Sequence, residues 1–446
     1  MNTLQSNTIL RPAKLAAAIG IALSALAAPS IVFAADSSAY LLGDWNGART
    51  RLADEGVKFN LGYTSEIAHN TSGGTDNLTR YSDQWQFGAA LDLDKLWGWK
   101  GGQFTIDITD RNGRNLSTDA GLGTFQQVQE VYGRGQTWRL TNFYLGQSFM
   151  DGRLNVKVGR MGVGGDFAAF SCDFQNLTFC GSQPGNLVGS YWANWPVSQW
   201  AVVGKYLTSK ESYLQLGVYQ VNPNYVNDDY AVHKGLLPNF PDGTTGALIP
   251  LEFGYTPASV GMFQGLPGSY KVGLWYNTSD SADLLLDANR QPLGTTSVGA
   301  LQRDGAYGGY INFQQQVTGT AGGAGTTVFL NVSQADKFTA ATDSQIAFGA
   351  EVKGAFDRPD DVIGVALGTT HGNGRRGDSQ RFYNLQHPGN PGQVNNGYEV
   401  AAEVFYGWTP TKSVTIRPNL QYIVHPGGTS QNDNAFVVGL KSSIAF

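Results

Sequence analysis

From Val57 onward, apolar residues recur at every second position, segment after segment. Val57, Phe59, Leu61 and Tyr63 alternate with Lys58, Asn60, Gly62 and Thr64. Trp85, Phe87, Ala89 and Leu91 alternate with Gln84, Gln86, Gly88 and Ala90. Val414, Ile416, Pro418, Leu420 and Tyr422 alternate with Thr415, Arg417, Asn419, Gln421 and Ile423. Successive side chains of a strand point to opposite faces, so each segment presents one apolar and one polar face. Read this way, the chain holds about sixteen strands: 57–68, 83–93, 102–110, 137–149, 154–160, 199–206, 213–221, 249–255, 268–277, 305–316, 326–333, 344–354, 361–370, 397–408, 413–425 and 435–446. Most approach the ~9–11 residues that a tilted strand needs to cross a bilayer. The phase is ambiguous in 137–149 and 305–316. Arg160 falls in the apolar phase of 154–160, which calls for a bulge or an early strand end.

The gaps between strands form two alternating classes. Long ones follow odd-numbered strands, at 111–136, 161–198, 222–248, 278–304 and 371–396. Short ones follow even-numbered strands, at 150–153, 207–212, 355–360 and 409–412. The gaps at 256–267 and 334–343 fit this pattern less well. A membrane barrel with short periplasmic turns and long outer loops predicts the alternation and its phase. Lipid offers no partner for backbone N–H and C=O groups, so the sheet must close on itself. The expected fold is therefore all-β: a closed antiparallel transmembrane β-barrel, residues 57–446, with a polar, water-filled interior rather than a packed core.

What precedes the strands reads as an export leader and a short helix. Arg11 and Lys14 stand before an uncharged apolar run, Leu15 to Phe33, and Val32-Phe33-Ala34 suits a signal peptidase. Residues 1–34 are read as a signal peptide and 35–56 as a periplasmic segment. Asp44 is the expected N-cap of a helix carrying Trp45, Ala48, Leu52 and Ala53, which Gly56 ends. Removing Arg11 and Lys14 takes the formal charge from −5 to −7. That balance excludes nucleic acid as a partner, since such binding needs a basic footprint. The two cysteines, Cys172 and Cys180, meet an oxidising compartment after export, so a local disulfide is the simplest reading. No histidine lies near them to complete a metal site, and no cofactor motif appears.

Several stretches resemble the carbohydrate-selective porins of the OprB type. They are Gly43-Asp44-Trp45-Asn46-Gly47-Ala48-Arg49, Arg111-Asn112-Gly113-Arg114-Asn115, Asp151-Gly152-Arg153-Leu154-Asn155-Val156-Lys157-Val158-Gly159-Arg160 with Asp166-Phe167-Ala168, Cys172 to Gly181, and Arg417-Pro418-Asn419-Leu420-Gln421 through His425-Pro426-Gly427-Gly428. They keep their order over nearly all of the exported chain. The resemblance implies a monomeric sixteen-stranded barrel in the outer membrane of a Gram-negative-type cell. It also implies passive diffusion of small sugars such as glucose into the periplasm, past arginines and aromatics at a constriction. Segment 199–206 departs from the pattern: Trp200-Ala201-Val202-Val203-Gly204-Lys205-Tyr206 is more apolar than expected there, which leaves its lumen face undecided. Phe446 ends the last strand and resembles the signal read by the barrel assembly machinery.

A sugar path needs forked donors, acceptors and aromatic platforms, and arginine supplies five N–H donors in a rigid fork. Arg111, Arg114 and Arg160 border long loops, and Arg417 shares the inward phase with Asn419 and Gln421. These four are the candidate pore-lining cations. Glu399 and Glu403 share an inward phase ~13 Å apart along one strand. Glycosidase carboxylates lie about 5–9.5 Å apart, so this pair reads instead as partners for lumen arginines. Trp192, Trp195 and Trp200 cluster around the third long loop as a sugar-stacking platform or as interface and loop packing. No nucleophile elbow, His-Glu-x-x-His or phosphate loop occurs, so an enzyme is not expected. Two readings compete with the channel. An outer-membrane lipid hydrolase would need a Ser–His pair on the lipid face, and a soluble sugar-binding β-protein would not need an apolar band on every strand.

Overall fold

The computed structural model describes residues 39–446 apart from 294 and 296, so the export leader lies outside the described residues. Sixteen antiparallel strands close into one barrel. They are β1 (Val57–Ser72), β2 (Thr79–Asp92), β3 (Gly102–Gly113), β4 (Trp138–Phe149), β5 (Leu154–Met161), β6 (Gln199–Leu207), β7 (Ser212–Val221), β8 (Gly246–Tyr255), β9 (Gly268–Asn277), β12 (Ala306–Gln316), β13 (Gly325–Ala335), β14 (Thr342–Lys353), β15 (Val362–Gly372), β16 (Tyr398–Thr411), β17 (Val414–Val424) and β18 (Ala435–Ala445). Between β9 and β12, β10 (Ser281–Asp287) and β11 (Ala300–Arg303) form a separate two-stranded sheet. Closure comes from β1 pairing with β18, from Gly62 opposite Ala445 to Ser72 opposite Phe436. No strand edge of the barrel is left for lipid to meet.

The outward phase carries the apolar band. Leu214, Leu216 and Val218 of β7, Val272 and Leu274 of β9, and Ile346 and Phe348 of β14 are exposed at alternate positions. The ambiguous phase of segment 137–149 has a local cause: the β3–β4 register steps from Asp107–Asn142 to Ile108–Leu140, which leaves Thr141 as an extra residue. In segment 305–316 the inward Tyr310 is buried while the outward Tyr307, Ile311 and Phe313 are exposed, so both faces carry large rings or aliphatics.

The interior differs from the expected water-filled lumen. Loops 114–137 and 162–198 turn inward and pack on the wall. Phe167 and Trp192 of the longer loop meet Val203, Tyr219, Leu248, Trp275 and Tyr310. Its Phe174 and Phe179 meet Phe329, Ala347, Ala366, Ala401 and Phe405 on the other side. Leu116, Leu122 and Val128 of the shorter loop cover Ala68, Ile423 and Val437. This core explains the apolar lumen face of segment 199–206: Ala201 and Val203 are buried under a loop, not bathed in water. At one wall position opposite the loop only a small residue fits. A Cβ on Gly368 would sit 2.7 Å from the Thr178 methyl, so a larger residue there would expel the loop tip.

Outside the membrane band, two further devices fasten the ends. The N-terminal helix spans Ala48–Asp54 with Gly47 at its N-cap, which corrects the assignment of Asp44 to that position. Asp44 instead accepts from the Thr50 N–H and hydroxyl, each at 2.8 Å. From this helix, Arg49 donates to the Phe446 carbonyl at 2.6 Å and lies over the Tyr40 ring, tying the first strand to the last. At the loop end, Asp283 of β10 accepts from Arg303 of β11 and from Arg375 of the helix Gly374–Gln386. Both guanidinium groups also lie over the Phe338 ring, so three outer loops meet there.

Candidate functional site

With two loops folded inward, an open space is left against β1–β4 and β18. Alternation puts Gln84 of β2 and Arg111 of β3 on the inner wall, directly opposite one another in register. The Gln84 side-chain carbonyl accepts from Arg111 Nε at 2.8 Å and from Trp195 Nε1 at 2.9 Å. Loop carbonyls hold the other edge of the guanidinium: Arg111 Nη1 reaches Glu130 O at 3.3 Å and Tyr132 O at 3.4 Å. The Glu130 carboxylate lies 3.9 Å from Arg111 Nη2 and accepts from Lys441 Nζ at 2.8 Å. Lys441 pairs also with Glu66, its cross-strand neighbour, at 3.4 Å. The same ammonium donates to the carbonyls of Cys172 and Phe174, so one wall cation holds both loops.

These groups border a cavity of about 850 Å³ whose other wall is the glycine-rich loop 162–198. Glycine is needed in that wall for close approach: a Cβ on Gly185 would meet the Asn194 amide at 2.4 Å. A second space of about 420 Å³ lies toward the short turns, lined by Asn60, Gln86 and Thr415 among others. Thr64, Gln84 and Ser443 border both spaces, so Gln84 with its two donors stands at the neck between them. Three cations, Arg111, Arg134 and Lys441, face two carboxylates, Glu130 and Asp228, around the larger space.

A barrel of this strand number, with inward loops and a polar neck, is a porin architecture. The family model of the carbohydrate-selective porins, OprB family, matches residues 76–446. The chain belongs to that family. Porin B of Pseudomonas aeruginosa is 42% identical to it over 99% of both chains. A putative porin, QuiX, of Acinetobacter baylyi is 36% identical over 91% of this chain and 93% of its own. The high-pH structure of Pseudomonas putida OprB superposes with a TM-score of 0.87 at 42% identity, covering 93% of this chain and all of that one. This porin is accordingly an outer-membrane β-barrel of the carbohydrate-selective kind.

The sequence candidates are placed unequally. Arg111 and Trp195 lie on the wall of the larger space, as do Cys172 and Cys180, which form a disulfide across eight positions of the loop. Arg160 does not reach the lumen. It stands opposite Trp200 on the outward face, donates to Leu237 O at 3.0 Å and Ser198 O at 3.1 Å, and lies over the Tyr225 ring. The apolar phase of Arg160 was therefore real: no register shift occurs in β5, and loop 222–245 covers the charge. Arg114 is exposed and paired with Asp119 at 2.8 Å. Arg417 points inward but pairs with Asp173 of the inward loop at 2.9 Å, away from the cavity. Trp192 is fully buried, with its indole N–H on Ser182 Oγ, so it packs the loop and stacks nothing.

Glu399 and Glu403 take backbone donors rather than arginines. Glu399 accepts from the N–H groups of Phe125, Gln126 and Gly427. Glu403 accepts from Gln175 and Asn176. Charged acceptors on the wall thus satisfy loop amides that enter a space poor in water, which explains carboxylates at buried inward positions. Sequence reasoning missed Gln84, Glu130 and Lys441. The inward phases of Glu66 and Lys441 were a usable signal, because the closing pair of strands sets them face to face.

Proposed function

We propose that small neutral sugars, glucose among them, diffuse through this porin by way of the Gln84 neck. The observation that carries the reading is the Gln84–Arg111–Trp195 group at the only border shared by the two spaces described. A sugar ring has a less polar face and a rim of hydroxyls. Trp195 offers an indole edge and face to the first, and the Arg111 fork and Glu130 offer a donor and an acceptor to the second. Bidentate polar contacts select hydroxyl-rich solutes, while a water-filled path allows release. The exposed aliphatic band suits outer-membrane lipid as the surrounding phase, and Phe446, stacked beside Trp85, is the group that the assembly machinery would read. Each barrel encloses its own path, which suits a monomer.

Swelling of liposomes containing the purified porin tests the reading. Glucose should enter much faster than neutral zwitterionic solutes of similar size. Equal rates for both would leave a general pore and end the sugar-selective reading.

A further inference from the structure

On the side of β5–β9, a third space of about 490 Å³ opens among the short turns, with Lys210, Glu211 and Thr256 at its rim. The sugar path above does not use it. Alternation brings lysines from three strands to its wall. Val158, Val202 and Val272 are exposed outward at 48%, 49% and 48%. Their opposite phase therefore places Lys157, Lys205 and Lys271 inward, and all three line this space.

The nearby carboxylates are mostly engaged. Asp166 is ion-paired with Lys157. Glu252 accepts from the Ala168 N–H and from the hydroxyls of Tyr213 and Tyr310. Glu211 sits on the turn and accepts from the Ala258 N–H at 3.3 Å. Lys271 Nζ meets an uncharged acceptor, the Ala169 carbonyl, at 2.5 Å. Lys205 makes no ion pair within 4 Å among the described residues: its Nζ lies 3.7 Å from the centre of the Tyr213 ring, and Glu252 and Asp166 attract it only from farther off. Lys157, Lys205, Lys210 and Lys271 line the space against two carboxylates, Asp166 and Glu211, with Glu252 close by, so the lysines outnumber the acids and low-dielectric walls focus the remaining positive potential inward. Asn155 and Ser269 line the same space and offer partners to hydroxyls.

We propose that this vestibule is a binding subsite for small carboxylated sugars, with Lys205 and Lys271 as the cations that receive the carboxylate. The proposal rests on the channel reading, because the subsite is reached through the lumen. Single-channel currents of the full-length porin in planar bilayers test it, with gluconate or glucose added on the turn side. The half-blocking gluconate concentration should rise about tenfold in Lys205→Gln and also rise in Lys271→Gln, since each removes a charge-assisted contact. The half-blocking glucose concentration should stay unchanged in both. Gluconate block within about twofold of wild type in both variants, or an equal rise for glucose, would overturn the subsite. Lys205→Arg keeps a cation and should retain gluconate block. It decides the matter if Lys205→Gln fails to assemble, because loss of block with a cation still present would contradict the proposal. A wild-type channel that gluconate blocks and glucose does not would sink the neutral-sugar path and leave this subsite standing.

Discussion

Glu403 holds the tip of loop 162–198 across the lumen through the N–H groups of Gln175 and Asn176, each at 2.8 Å. Glu403→Gln keeps the shape and removes the charge. The amide oxygen still accepts from one N–H, but the new NH₂ then faces the second donor. A hydrogen bond to a charged group contributes ~1.5–3 kcal/mol, and a buried donor left unpaired costs ~1–3 kcal/mol. The loop tip should therefore open more easily by ~2–3 kcal/mol, or roughly 30–150-fold in the opening equilibrium. The barrel ladder should not notice, because β16 keeps its backbone pairing with β15 and β17. Hydrogen exchange followed by mass spectrometry reads this directly. Peptides covering 173–181 should exchange faster by that factor, while those from β15 and β17 keep their protection. Unchanged exchange at 173–181 would refute the anchoring role, and loss of protection throughout the barrel would refute its locality.

Arg160→Ala should loosen loop 222–245, which loses the hydrogen bond to the Leu237 carbonyl, ~1–3 kcal/mol, and the contact over the Tyr225 ring, yet leave glucose block of the current unchanged; a matching loss of block would return Arg160 to the lumen. Burial alone would raise the Asp283 carboxyl, but donors from Arg375, the Leu285 N–H, Arg303 and the Leu286 N–H outweigh it and bring its pKa down to about 2. A depressed carboxyl stabilises the outer-loop junction fully above its ordinary value of about 3.8 and loses that effect as pH falls through about 2. Exchange of peptides 281–303, corrected for intrinsic rate, should therefore rise between pH 4 and pH 2 in wild type, and Asp283→Asn should show no such step. Reducing Cys172–Cys180 should raise exchange within 172–180 but leave heat-modifiable gel mobility intact, because so short a loop contributes at most ~3 kcal/mol; loss of the folded band would contradict this.

The strands were legible because each is decided locally, by which residues alternate against lipid. Every expected strand is present within a few residues of its bounds, including β5 with its out-of-place arginine. The lumen was less legible. Nothing local to Glu399 or Glu403 shows that loops from elsewhere in the chain will fold onto them, and nothing local to Trp192 shows that its own loop will pack on the far wall. Phase alone put Glu403 inward, and it did so correctly. Its partners, at positions 175 and 176, depend on how a 37-residue loop crosses the barrel. The apolar face of β6 was the one local trace of that packing, visible in Ala201 and Val203 before any loop was placed. The β10–β11 sheet escaped notice because both strands are short and lie outside the membrane, where no alternation against lipid is imposed.

The account stands most directly on glucose block of single-channel current in wild type, Arg111→Ala and Trp195→Ala. Wild type should show a saturable fall in current with glucose concentration. Each substitution should raise the half-blocking concentration about tenfold, because an alanine supplies neither the forked donor nor the ring. Equal block in all three channels would contradict the claim that sugars pass the neck formed by Gln84, Arg111 and Trp195.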